Sequence, residues 1–241
     1  MILRKLFNLS FNTDWTAFYQ KQSHQANNAL LQNFYKCGVT APEMPVANVK
    51  FVALDFETTG LDAKKDDIVS IGLVPFDLKR IYLNQAKQWL INPNLPLEKE
   101  SVIIHGITHS DIVDAPDLMR VLEEVLQALA ECTIVVHYRQ IERDFFDMAL
   151  KERIGEGIRF PLVDTLAIES YLQAKETSRF INRLKGAKAE SVRLGSCRQR
   201  YGLPAYTPHH ALTDAIATAE LLQAQIAYHY TPDTPIGHLW K

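Results

Sequence analysis

The sequence predicts an α/β fold, a mixed five-stranded sheet flanked by helices and preceded by a helical extension. Three observations predict it. Strand-forming runs at Phe51–Glu57, Ile68–Pro75 and Ile81–Ile91 follow one another through short connections, as in an antiparallel meander. From Asp117 onward, segments of helical periodicity alternate with short apolar runs. Ahead of both, residues 14–37 carry aromatic and leucine side chains at roughly helical spacing. Strands first, then helices alternating with strands, give a mixed sheet with helices on its faces.

The elements follow in chain order. Between Asp14 and Cys37 the chain is rich in Gln, Asn and Ala, with Trp15, Phe18, Leu30, Leu31 and Phe34 on a helical period. Gly38, Pro42 and Pro45 then act as stop signals. One or two helices are expected there, packed on the main domain or offered to a protein partner. The chain therefore divides into a helical extension over 1–47, a main domain over 48–230 and a tail over 231–241. Asp77 and Lys79 mark the connection between the second and third strands. Asp117–Ala130 places Leu118, Val121, Leu122, Val125, Leu126 and Leu129 on one helical face. Thr133–Val136 is short and wholly apolar after its threonine, which suits a buried central strand. A helix over Ile141–Arg153, a strand over Pro161–Asp164 and a helix over Thr165–Gln173 complete the alternation. Residues 174–189 are basic, with Glu176 the one acid, and read as a solvated loop or a polyanion contact. Ser191–Tyr201 and His209–Tyr228 read as the last two helices, separated by Gly202 and Pro204.

Composition narrows the function classes. A chain of 241 residues with a hydrophobic fraction of 47% can build a substantial core. A net charge of −2 argues against a protein coated in basic residues, and it leaves room for a local basic groove. Cys37, Cys132 and Cys197 are scattered, which excludes a disulfide framework and fits a reducing cytoplasm. No apolar run approaches the roughly 20 residues that cross a bilayer. Met1–Phe7 lacks the apolar core and cleavage site of a signal peptide. A cytoplasmic protein without membrane attachment is expected.

Three sites carry candidate chemistry. Asp55-Phe56-Glu57-Thr58-Thr59-Gly60-Leu61 ends the first strand, and residues two apart in a strand share a face. Asp55 and Glu57 therefore sit side by side and need a positive partner, for which hard divalent cations suit carboxylate oxygens. Pro208-His209-His210-Ala211-Leu212-Thr213-Asp214 opens the last long helix. Asp214 shares a face with Ala217, Thr218 and Leu221, and a carboxylate on that face needs a cation or hydrogen bonds. His137-Tyr138-Arg139-Gln140-Ile141-Glu142-Arg143-Asp144 follows the buried strand, where open α/β sheets place ligands. Glu142 and Asp144 are alternative acids at that helix start, where the macrodipole also favours them.

Together these sites resemble the histidine-containing branch of the DEDD 3′–5′ exonucleases, of ribonuclease H-like fold, which includes epsilon-type proofreading subunits of bacterial DNA polymerase III. Asp55 to Gly60 matches the first motif, and His209 to Asp214 the third. Smaller matches fall between them at Ile104–Thr108, Val163–Leu166 and Leu194–Gly202. The resemblance covers residues 49–228. The second motif departs from the usual His-Asn-x-x-Phe-Asp: aligning His137 puts Tyr138 at the Asn, Ile141 at the Phe and Glu142 at the acid.

The resemblance implies hydrolysis with two divalent cations, Mg²⁺ or Mn²⁺, held by four carboxylates. Asp55 would bridge both, Glu57 and Asp214 would hold the first, and Glu142 would support the second. His209 would be the general base, and Thr58, Leu61 and His105 would contact the terminal nucleotide. It implies release of nucleoside 5′-monophosphates from nucleic acid 3′ ends, with single-stranded DNA favoured. An exoribonuclease of the same branch is the alternative, and a non-catalytic polymerase- or nucleic-acid-binding module is a third reading. Only about a dozen residues follow Tyr228, which gives the expectation of a stand-alone or differently recruited repair enzyme.

Overall fold

The computed structural model describes residues 13–93, 95, 99–181 and 190–241. Helices α1 (Trp15–Gln25) and α2 (Ala29–Lys36) come first, each started by a side-chain cap. Asp14 accepts from the Ala17 amide and Asn28 from the Leu30 amide, which satisfies donors that a helix start leaves open. Tyr19, Phe34 and Tyr35 from this pair are buried, and Phe34 meets Tyr19 at 5.8 Å and Phe160 edge-on at 6.5 Å within a chain of ring contacts. Glu156 accepts from the Asn27 and Asn28 amides and so ties the hairpin to the main body.

The sheet is built from β1 (Phe51–Thr58), β2 (Ile68–Phe76), β3 (Lys87–Leu90), β4 (Thr133–Val136) and β5 (Leu162–Asp164). Its order is β3-β2-β1-β4-β5. The first three strands pair antiparallel, whereas β4 and β5 add in parallel. The expected third strand over Ile81–Ile91 is shorter, because Leu83–Gln85 coil into a 3₁₀ turn. The Tyr82 hydroxyl donates to Asp77 at 2.7 Å and holds that turn against the connection.

Helices α3 (Lys99–His105) and α4 (His109–Ile112) precede α5 (Leu118–Leu129). All six apolar residues expected on α5 are buried, each contributing roughly 1.5–3 kcal/mol relative to exposure. Next come α6 (Gln140–Ile154), α7 (Thr165–Ile181), α8 (Leu194–Arg200) and α9 (Ala211–His229). Helix α7 continues beyond the expected end at Gln173, through the first part of the basic segment, and α8 starts later than Ser191. The remainder of that segment, 182–189, lies outside the described residues, as does the start Met1–Phe7.

Strand alternation sorts the core. Val52, Leu54 and Phe56 join the cluster under α1, α2, α5 and α6, and Phe51 and Ala53 join the cluster under α9. The odd-numbered face of β1 is therefore the α9 face, and Asp55 and Glu57 continue it. Residues 235–241 pack on the same body: Ile236 and Leu239 are buried, and the Lys241 amide donates to Leu162 at 2.9 Å along the edge of β5. Among the described residues, no helix is long and apolar enough to cross a membrane.

Candidate active site

Asp55 and Glu57 lie opposite Gly72 and Ser70 of β2. The helix α9 crosses here, and a Cβ on Gly72 would collide with the backbone of Ala211 and Leu212. This close approach brings the first turn of α9 down onto the carboxylate pair. Asp55, Glu57 and Asp214 each offer an oxygen, and the three oxygens lie within 4.8 Å of one another.

Asp214 is fixed from both sides. Its Oδ2 accepts the His209 and His210 amides at 2.7 and 3.0 Å, and its Oδ1 accepts the Tyr206 hydroxyl at 2.8 Å. His209 takes a left-handed φ of 67°, which turns the chain into the helix and leaves its side chain exposed at the cleft rim. The buried Arg198 holds the preceding loop: its guanidinium donates to the Pro204 and Ala217 carbonyls, pairs with Glu220 and lies 4.9 Å from the Tyr206 ring centre.

Burial separates the two candidate acids of α6. Glu142 is 2% exposed, and its Oε2 is buried without a partner, whereas Asp144 is exposed on the outer face of α6. Glu142 is also the strongest charged influence on Asp55. Asp164, expected only as part of a minor match, clamps this region. It accepts the Tyr138, Arg139, Leu166 and Ala167 amides and pairs with the Arg139 guanidinium at 3.1 Å.

Electrostatics follow from that crowding. Burial first, then the charges of Glu142, Asp214 and Glu57, push the Asp55 carboxyl well above its ordinary range. Burial and Asp214 raise Glu57 to about 7. Burial, with Asp164 adding, raises Glu142. Acids that repel one another in a desolvated site are held there against their own electrostatics, and cations are what relieve them. A buried carboxylate oxygen without a donor fits the same requirement, so the residues present fit divalent ions.

Glu57 and Asp214 line a cleft of about 1280 Å³, with Asp55 beside them. Thr58, Leu61 and His105 all line it. Leu61 is 86% exposed at its mouth, on a turn shaped by Thr59 and Asp66. The Thr58 hydroxyl is committed to the Gly60 carbonyl at 2.5 Å. His105 accepts the Ile107 amide on Nδ1, and its buried Nε2 has no partner. His137 bridges Thr165 and the Val192 carbonyl, which makes it a brace between α7 and the 190–193 segment. Tyr206 had no place in the sequence reading, and Arg198 entered it only as part of the Leu194–Gly202 match, without a role. Only the fold brings their loop and helix to Asp214.

A family profile described as Exonuclease, of RNase T type, matches residues 52–222. The chain belongs to this exonuclease family. The PolC-type DNA polymerase III of Thermotoga petrophila is 32% identical over 174 residues, which cover 72% of this chain and 12% of that protein. The DNA polymerase III epsilon subunit of Treponema pallidum is 27% identical over 182 residues, 76% of this chain and 79% of that one. The chain thus spans a small part of its PolC-type relatives and most of its epsilon-type relative. The nuclease domain of 3′hExo, a DEDDh family member bound to rAMP, superposes with a TM-score of 0.59 at 15% identity, over 75% of this chain and 92% of that one. The exonuclease's mixed five-stranded sheet is therefore the ribonuclease H-like architecture of the DEDDh enzymes.

Proposed function

We propose that this exonuclease hydrolyses phosphodiester bonds from the 3′ end of DNA, one nucleoside 5′-monophosphate at a time, and favours single-stranded ends. The observation that carries the reading is the Asp55, Glu57 and Asp214 oxygens gathered within 4.8 Å beside the partnerless buried oxygen of Glu142. Those four residues would hold the two cations. When bound, the ions supply activation of water and neutralisation of charge on the leaving oxygen. His209, exposed at the rim beside Asp214, takes the proton of the attacking water, a task for which the imidazole ring nitrogen is suited as a general base. Leu61 packs against the terminal base, and His105 offers its Nε2 to the nucleotide, contacts that tolerate any sequence. Thr58 contributes its backbone and methyl, because its hydroxyl is engaged in the turn.

The test is shortening of 5′-labelled single-stranded DNA, duplex DNA and RNA by the purified chain with Mg²⁺, Mn²⁺ or chelator. Metal-dependent shortening from the 3′ end, fastest on single-stranded DNA, is expected. Shortening of RNA alone would replace DNA by RNA as the substrate. No shortening of any substrate would sink the enzymatic reading and leave a binding module.

A further inference from the structure

On the far side of the α6 start from the catalytic cleft lies a second recess of about 960 Å³, and its lining includes Arg139, Arg143, Arg159 and Trp240. Arg139 and Arg143 are four apart and share one face of the α6 start, while Tyr138 and Ile141 face the cleft. The segment 138–143 is thus a saddle between the two hollows. Tyr138 sits on it with a φ of 82°, costly for a tyrosine, and its ring is exposed.

The cations of the recess differ in their partners. Arg139 pairs with Asp164, Arg143 donates to the Phe160 carbonyl and to the terminal main-chain oxygen of Lys241, and Arg159 is exposed over the Trp15 and Phe18 rings at 6.0 and 5.4 Å. Among the described residues no side-chain carboxylate lies within ion-pair range of Arg159, which leaves it the most available cation of the recess. Asp14 and Glu43 also line the recess, and Asp14 is occupied in capping α1.

We propose that this recess binds the phosphate backbone of the nucleic acid on the 5′ side of the end being cleaved, the strand leaving the cleft across Tyr138 onto Arg139, Arg143 and Arg159. The inference rests on the nuclease reading of the cleft and adds a second contact region to it. It also gives the N-terminal helices a task, since Trp15 and Phe18 hold Arg159 in place. Arginine forks match phosphate oxygens, and an exposed aromatic beside them suits base stacking.

Binding is measured by anisotropy in chelator, so that catalysis plays no part, with labelled oligodeoxynucleotides of about 20 nucleotides and with a trinucleotide. Arg159→Glu, at an exposed position that tolerates change, is expected to weaken the long oligonucleotide about tenfold more than the trinucleotide. It should also reduce the slope of log affinity against log salt by about 0.7, the share of one phosphate contact on a single strand. Arg159→Lys should restore most of both. Equal weakening of long and short ligands, or none, would overturn the proposal, as would polyglutamate competing as well as unlabelled oligonucleotide. A wild-type chain with this length dependence that shortened no 3′ end would support the recess while sinking the exonuclease reading.

Discussion

Tyr206 donates its hydroxyl to Asp214 at 2.8 Å, on the carboxylate oxygen that the His209 and His210 amides leave free. The bond orients a carboxylate of the proposed metal site from a residue outside the proposed ligand set, and Arg198 beneath the ring orients the tyrosine in turn. Hydrogen bonds to charged groups contribute about 1.5–3 kcal/mol. Tyr206→Phe should therefore raise the Mn²⁺ concentration for half-maximal activity by roughly tenfold, with a smaller change at saturating metal. An unchanged metal requirement would mean that the hydroxyl positions nothing.

Glu142 and Asp144 make opposite predictions from opposite faces of one helical turn. Glu142 is buried beside Asp55, and Asp144 is exposed. Glu142→Ala should lower kcat by about a hundredfold or more, whereas Asp144→Ala should stay within about twofold. Without metal, and at a pH where Glu142 is ionised, Glu142→Gln should raise the melting temperature, because it removes a buried negative charge crowded by Asp55 and Asp164. Loss of activity only in Asp144→Ala would move the second motif by two residues.

The metal-free protein should become less stable as pH rises through the weakly acidic range. Glu57 titrates near its ordinary 4.5 when unfolded and at about 7 when folded. Between those values the folded chain keeps a proton that the unfolded chain has released, so stability falls from about pH 4.5 to about pH 7. The Glu57 contribution is on the order of 3 kcal/mol, and Asp55 and Glu142 shift in the same direction. Added Mn²⁺ takes the place of the protons, so its stabilisation should be largest above pH 7. Melting curves in chelator and in Mn²⁺ across this range measure both effects. A metal-free melting temperature that climbed with pH would contradict them.

What the sequence made legible was local. Asp55 and Glu57 were readable because a strand has period two and both lie in one strand, and the α5 face was readable from its 3.6-residue repeat. Glu142 against Asp144 stayed open in the residues because both suit a helix start, and only packing shows which one faces Asp55. Helices α3 and α4 are too short to display a period. The truncation of β3 depends on a turn whose hold is the Tyr82–Asp77 hydrogen bond, a contact that propensity does not encode. Tyr206, Arg198 and Asp164 act across 8 to 26 residues of separation, through contacts that no spacing announces.

Gly72 is where the fold and the site meet, and Gly72→Ala is the most direct test of how the acids are assembled. The added methyl would overlap the Ala211 carbonyl group and the Leu212 nitrogen. These are backbone atoms of the α9 start, so no rotamer change relieves the overlap, and the helix must lift from β2. Overpacking of this kind costs about 1–3 kcal/mol, or roughly 2–10 °C in melting temperature for a chain of this size. Because Asp214 belongs to the first turns of α9, lifting them also separates it from Asp55 and Glu57. Activity at a given Mn²⁺ concentration should therefore fall by far more than the folded fraction, and excess Mn²⁺ should recover part of it. A variant whose activity fell only in proportion to its folded fraction, with an unaltered Mn²⁺ requirement, would show that the α9 contact supports stability without setting the carboxylate geometry.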